Sequence, residues 1–152
     1  MKNIDKTKFI NWYLMDLPKG KQIVLFDGVC NFCNDSVRFI IKRDQNDLFR
    51  FASLQSNLGK KLTQERNIDT SKIDSIVLID PGKAYYLKST AALEISKKLS
   101  GIWPVLGIFL HLPEGLRNWI YDIIAKNRYQ WFGKMEACPM PTTEEREKFL
   151  AT

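Results

Sequence analysis

Ile23-Val24-Leu25-Phe26-Asp27-Gly28-Val29-Cys30-Asn31-Phe32-Cys33 is the stretch on which the reading of this 152-residue chain turns. Its first four residues form a continuous apolar run, the pattern of a short strand buried on both faces of a largely parallel sheet. Downstream, Val37, Ile40 and Ile41 recur at helical spacing until Asp44-Gln45-Asn46-Asp47 ends the pattern. Cys30 and Cys33 therefore stand where a helix begins.

Outward from this junction, Leu48-Phe49-Arg50-Phe51-Ala52 alternates as a strand does, and Leu54, Leu58 and Leu62 predict a helix ahead of the polar stretch 67–72. Residues 75–79 and 84–87 flank Asp80-Pro81-Gly82-Lys83, a turn that predicts an antiparallel pair. Ser89 is placed to N-cap a helix that turns Ala92, Ile95 and Leu99 inward and ends at Gly101. The predicted order over about 21–100 is βαβαββα, preceded by a leading helix and a turn at Pro18-Lys19-Gly20.

Past Gly101 the pattern predicts a C-terminal all-helical extension over about 101–152. Pro104 and Pro113 each suit a first helical turn, and 102–112 reads as a buried or interfacial helix. Leu116, Trp119, Ile120, Ile123 and Asn127 draw one face of the next helix, and Thr142 to Glu145 forms a capping box for a short last one. About 50 residues would be marginal alone, so 1–152 is read as a single domain.

The composition narrows the classes. Lys and Arg number 23 against 17 Asp and Glu, a net charge of +6, but the excess is scattered, which favours a solvated face over a nucleic-acid surface. No nucleic-acid partner is expected, since the aromatics lie at core spacing and no recognition motif accompanies them. The stretch 102–112 is about half the ~20 residues of a membrane span, so no stable membrane insertion is expected. Without a secretory-type apolar stretch at the N-terminus, and with an odd count of 3 cysteines, the chain reads as a cytoplasmic protein with reduced thiols.

The chemistry lies in the cysteine pair. Residues i and i+3 of a helical turn have Cβ atoms about 5–6 Å apart, close to the separation that a disulfide requires. Unpaired N–H groups and the helix dipole favour a thiolate there, which marks Cys30 as the attacking nucleophile and Cys33, deeper in the first turn, as the resolving thiol. Asp27, closing an apolar strand, is expected to be desolvated with its pKa raised, fit to take the Cys33 proton or else simply to bind turn amides. No cofactor beyond the dithiol/disulfide, and no metal, is expected. The partner would be a protein or small-molecule disulfide or thiol.

With Phe26 before it, Asp27-Gly28-x-Cys30-x-x-Cys33 resembles the signature of the DCC family of thiol-disulfide oxidoreductases. The likeness continues through Val37 to Phe39, Gln55-Ser56, Lys88-Ser89-x-Ala91, Asn127-Arg128-Tyr129-x-x-Phe132-Gly133, Cys138-x-x-Pro141 and Arg146-x-x-Phe149-Leu150, or about residues 22–150. The resemblance implies a thioredoxin-like α/β fold and redox activity, with Arg128 as an accessory residue; Cys138 reads either as an inert thiol in a Pro-bounded loop, favoured on general grounds, or as an accessory second resolving thiol, toward which the likeness of the tail points. Lys72-Ile73-Asp74-Ser75-Ile76 departs from thioredoxins proper, which carry a cis-proline there. Docking of substrate by strand pairing is therefore not part of the expectation.

Three other readings are open to the same residues. A non-enzymatic thioredoxin-like scaffold would bind a partner through Trp103, Trp119 or Trp131, although tryptophans at helical spacing usually belong to a core. A Cys₃His zinc site from Cys30, Cys33, Cys138 and His111 lacks a second short-spaced ligand pair. An aspartate-dependent phosphohydrolase would need its nucleophile where Leu25 stands.

Overall fold

The computed structural model describes residues 17, 19–71, 76–134, 136 and 140–150. The leading helix, residues 72–75 and Cys138 lie outside the described residues.

Strand β1 (Gln22–Phe26) is buried along its whole length, as a continuous apolar run requires. It pairs in parallel with β2 (Phe49–Ser53), Val24 opposite Phe51, and antiparallel with β3 (Val77–Asp80), Val24 opposite Leu78. Strand β4 (Ala84–Leu87) pairs antiparallel with β3 and completes the order β2-β1-β3-β4. The β3–β4 turn closes at Gly82, whose φ of +77° suits glycine. The element order and the antiparallel β3–β4 pair agree with the predicted thioredoxin-like core, but only β1 and β2 run parallel, so the sheet is mixed rather than largely parallel.

Two apolar clusters sandwich the sheet. Val24, Phe26, Phe51 and Leu78 face helices α1 (Asn31–Arg43) and α3 (Lys88–Ser96) through Val37, Ile40, Ala91 and Ile95. Ile23, Leu25, Val77 and Ile79 face Leu62 of α2 (Asn57–Glu65), with Leu17 among them. Ser56 N-caps α2 by accepting a hydrogen bond from the Gly59 amide at 3.0 Å. A Cβ on Gly59 would lie 2.1 Å from the Ser53 carbonyl oxygen, so α2 packs against β2 at a distance that only glycine allows.

Helix α3 differs from expectation in three details, the first being that it ends at Ser96, ahead of Leu99 and Gly101. Ser89 lies buried inside the helix rather than capping it, and its hydroxyl donates to Asn118 Oδ1 at 2.5 Å. Ala91, not Ala92, faces the core, because the helix starts directly from β4 without a capping residue between them.

The larger departure is in the extension. A 3₁₀ segment, Trp103–His111, and helix α4 (Glu114–Phe132) cover α1 and α3. The 3₁₀ segment buries none of its residues fully, and Leu116, Trp119, Ile120 and Ile123 of α4 face outward. Trp119 and Trp131 are thus surface residues rather than core. Polar side chains fill the inner face of α4 because the groups beneath it are polar: Arg117 donates to Ser89 and Thr90, Tyr121 accepts from the Ile76 amide, and Lys88 pairs with Asp122.

After α4 the chain leaves helix. Lys134 forms an isolated antiparallel bridge with Cys30, and Phe149 a parallel one with Phe51, its ring against Phe26 and Phe51. The predicted capping box is present: the Glu145 amide donates to Thr142 Oγ1 at 3.3 Å and the Thr142 amide to the Glu145 carboxylate at 3.0 Å. It opens only a 3₁₀ turn, Arg146–Lys148.

Candidate active site

The site sits where β1 ends and α1 begins. Cys30 is the N-cap residue of α1, with extended backbone (φ −90°, ψ 118°), so its sulfur turns back over the first helical turn and accepts a hydrogen bond from the Cys33 amide at 3.3 Å. A sulfur that receives a helix N-terminal N–H is favoured as a thiolate. Asn34 secures the loop by donating to the carbonyls of Gly28 (2.8 Å) and Cys30 (3.0 Å).

The Cys33 thiol is held well above the ordinary cysteine range. Burial raises it, and so do the hydrogen bond to Cys30 and the charges on Cys30 and Asp27, while Arg128 opposes them. Cys33 thus retains its proton beside a Cys30 sulfur that accepts a helix N-terminal amide.

Asp27 behaves otherwise than expected. Burial does raise its pKa, but hydrogen bonds from the Tyr129 hydroxyl, Gln55, the Val29 amide and Arg128 outweigh burial and hold the carboxyl below its ordinary value. Gln55 Nε2 and the Val29 amide reach Oδ1 at 2.8 and 3.1 Å, and Arg128 reaches Oδ2 at 3.1 Å. Gln55 Oε1 in turn accepts from the Gly28 amide at 3.1 Å, tying β2's end to the motif. Arg128 is only 2% exposed, and its guanidinium lies 4.5 Å from the Tyr129 ring centroid. Tyr129 is pushed up to about 12 by burial and by its bond to Asp27. The result is an ionised, fully engaged carboxylate rather than a poised proton acceptor.

Cys30 is fully buried and Cys33 only partly so. The cover over Cys30 is the end of α4 and the residues after it. Phe132 stacks on Phe32 with centroids 4.8 Å apart, the Phe132 carbonyl accepts from Asn31 Nδ2 at 2.8 Å, and Lys134 bridges Cys30. Gly133, at φ +83°, makes the turn between these contacts.

Residues 24–134, from the central strand to the segment over Cys30, match the sequence signature of the DCC1-like thiol-disulfide oxidoreductases. The chain belongs to this family. It is 44% identical over 129 residues to the uncharacterized protein YuxK of Bacillus subtilis, covering 85% of this chain and 93% of YuxK. It is 40% identical over 121 residues to a chloroplastic DCC family protein of Arabidopsis thaliana, covering 79% of this chain and 70% of that one. No solved structure matches the chain.

Of the predicted site residues, this DCC1-like chain brings Asp27, Cys30, Cys33 and Arg128 together; Cys138 lies outside the described residues. Among the described residues, no group of three or more His, Cys, Asp or Glu is placed to hold a metal ion. Tyr129, Gln55 and Asn34 were missed as functional residues. The first two stand in stretches that carry the family likeness, which was the available signal; Asn34 had none beyond following Cys33.

Proposed function

We propose that this protein catalyses thiol-disulfide exchange at Cys30 and Cys33, with a protein or small-molecule disulfide as substrate. The observation that carries the reading is the polarised pair: a helix N-terminal amide aimed at Cys30 sulfur and a Cys33 thiol that resists ionisation.

In the reductive direction, Cys30 thiolate attacks one sulfur of the substrate disulfide. The substrate S–S bond breaks, its first thiolate departs, and a mixed disulfide to Cys30 forms. Cys33 then attacks Cys30 sulfur, passing its proton to the second departing substrate thiolate, which is the more basic group compared with ionised Asp27. Substrate is reduced by two electrons and the Cys30–Cys33 disulfide forms; an external dithiol or monothiol reductant restores it. The reverse sequence oxidises a substrate dithiol. Asp27, Arg128 and Tyr129 serve as positioning residues that set the charge beneath the pair. A reducing compartment such as the cytoplasm suits this cycle, the odd cysteine count supporting it.

The test is trapping. In a Cys138→Ser background, Cys33→Ser is expected to accumulate a mixed disulfide through Cys30, released by added thiol, whereas Cys30→Ser should accumulate none. Equal trapping by both variants, or by neither, overturns the assignment. Equilibration of the wild-type pair with glutathione buffers then fixes the direction, a potential near about −270 mV marking a reductant and one near about −120 mV an oxidant.

A further inference from the structure

Helix α4 is amphipathic the wrong way round for a helix packed on a protein core. Its inner face carries Arg117, Asn118, Tyr121, Asp122, Arg128 and Tyr129, each tied to a polar group of the core. Its outer face carries Leu116, Trp119, Ile120, Ile123 and Ile124 at i, i+3, i+4, i+7 and i+8, all exposed, Trp119 by 63%. The 3₁₀ segment leading into it exposes Val105, Ile108 and Phe109, and the residues that flank it, Ile102 and Leu112, are exposed too, Ile102 by 78%. Arg117 Nε donates to the Leu112 carbonyl at 3.2 Å and fixes the corner between the two. Soluble monomers rarely expose apolar patches above a few hundred Å² unless the patch is an interaction site.

The charges decide what fits it. No acidic residue interrupts the outer positions of α4, and residues 101–113 contain no Asp, Glu, Lys or Arg. Arg117 and Lys126 flank the α4 stripe on opposite sides, and Lys97 lies along the 3₁₀ segment at Gly107, where an added Cβ would lie 2.6 Å from Lys97 Cγ. Two of the acids nearest these elements form ion pairs that cancel, Glu94 with Lys97 and Asp122 with Lys88, and Glu114 accepts from Asn118, so the cations that edge the stripe are Arg117 and Lys126. A second copy of the chain would bring the same cations and the same +6 net charge against this rim, whereas an anionic surface neutralises them. An apolar stripe with tryptophan, edged by Lys and Arg, is the pattern of a helix that lies in a membrane interface.

We infer that the outer face of α4 and the 3₁₀ segment before it docks the protein on an anionic lipid surface. The seating is shallow, since among the described residues no helix is long and apolar enough to cross a membrane. The α4 stripe continues to Trp131, while Phe132, on the inner side of the helix end, stacks on Phe32 between the two cysteines. Binding does not require the exchange chemistry and is measured without turnover.

The experiment is sedimentation of the full chain with vesicles of phosphatidylcholine alone or mixed with phosphatidylglycerol, read with tryptophan emission. Binding to the mixed vesicles with a blue shift is expected, weakened at high salt. Trp119→Asp with Ile123→Asp should lower vesicle affinity at least tenfold while thermal unfolding stays cooperative. Lys126→Glu, which leaves the apolar stripe intact, should weaken binding several-fold. Failure to bind the mixed vesicles overturns the inference, and sedimentation as a dimer would then name a second copy as the occupant. Equal binding to neutral vesicles, or undiminished binding by both variants, overturns it as well.

Discussion

The Tyr129 hydroxyl donates a hydrogen bond to the Asp27 carboxylate across 102 residues of sequence, joining the last long helix to the end of the central strand. Arg128 binds the same carboxylate oxygen at 3.1 Å and also donates to the Tyr129 hydroxyl at 3.0 Å. The Asp of the motif is therefore the point at which the extension is fastened to the redox junction.

Removing that carboxylate should cost stability. Asp27 and Arg128 side chains are both buried, so Asp27→Asn leaves a guanidinium without its counter-charge, a change that typically costs about 3–5 kcal/mol. Tyr129→Phe loses both hydrogen bonds of the hydroxyl, to Asp27 and from Arg128, but keeps the ion pair and leaves no buried charge unpaired, so its cost should be smaller. Urea unfolding should rank them in that order; an Asp27→Asn protein as stable as wild type would show that the pair is not net stabilising.

The same cluster predicts how stability changes with pH. The folded Asp27 carboxyl lies below its ordinary value, so its contribution is fully present above about 3.9, the unfolded value, and is lost as pH falls through the folded one. Tyr129 has the opposite sign: raised to about 12, it contributes stability below about 10 that is lost as pH climbs from 10 to 12. Tyr129→Phe should remove one late-ionising group from the tyrosinate absorbance titration, and Asp27→Asn should flatten the acid limb of urea stability measured from pH 6 to 2.

What was legible in the sequence follows the periods it contains. A four-residue apolar run and a hairpin turn with proline and glycine constrain their own surroundings, so β1, the β3–β4 hairpin and the helix start at Cys30 could be placed. Spacing along α4 marked its apolar face correctly but not its direction, since Leu116, Trp119 and Ile123 repeat in the same way whether a core or some other surface covers them. The helical period carries no signal that joins Arg128 and Tyr129 to Asp27, a contact made between positions about 100 residues apart. The pKa of Asp27 was misjudged for the same reason, because burial was visible in the strand pattern while its four hydrogen-bond donors came from β1's own turn, the β2 end and α4.

The Cys33 thiol should respond to its neighbour. Part of its elevation comes from the hydrogen bond and charge of Cys30, so in a Cys138→Ser background Cys30→Ser should bring the Cys33 pKa down toward the ordinary value while burial keeps it above. Alkylation rate against pH reads this directly. An unchanged profile would mean that burial alone holds the proton, and that the two sulfurs do not share charge.

Access to Cys30 should depend on Gly133. Its φ of +83° is a left-handed conformation that disfavours residues with a Cβ by roughly 1–2 kcal/mol, and a Cβ there would also stand 3.0 Å from Asn31 Nδ2, the group that holds the Phe132 carbonyl. Gly133→Ala therefore loads both the turn and the bond that keep Lys134 against Cys30. A cost of that size corresponds to a population shift of about 5- to 30-fold toward the displaced segment. Since Cys30 is fully covered when the segment is seated, its alkylation in a Cys33→Ser, Cys138→Ser background should accelerate by a similar factor, with global stability falling by less than loss of the Asp27 pair would produce. Phe132→Ala, which removes the stack on Phe32 without straining the turn, should act in the same direction. If neither substitution changes the alkylation rate, reagent reaches Cys30 by another route and the segment over it does not govern access.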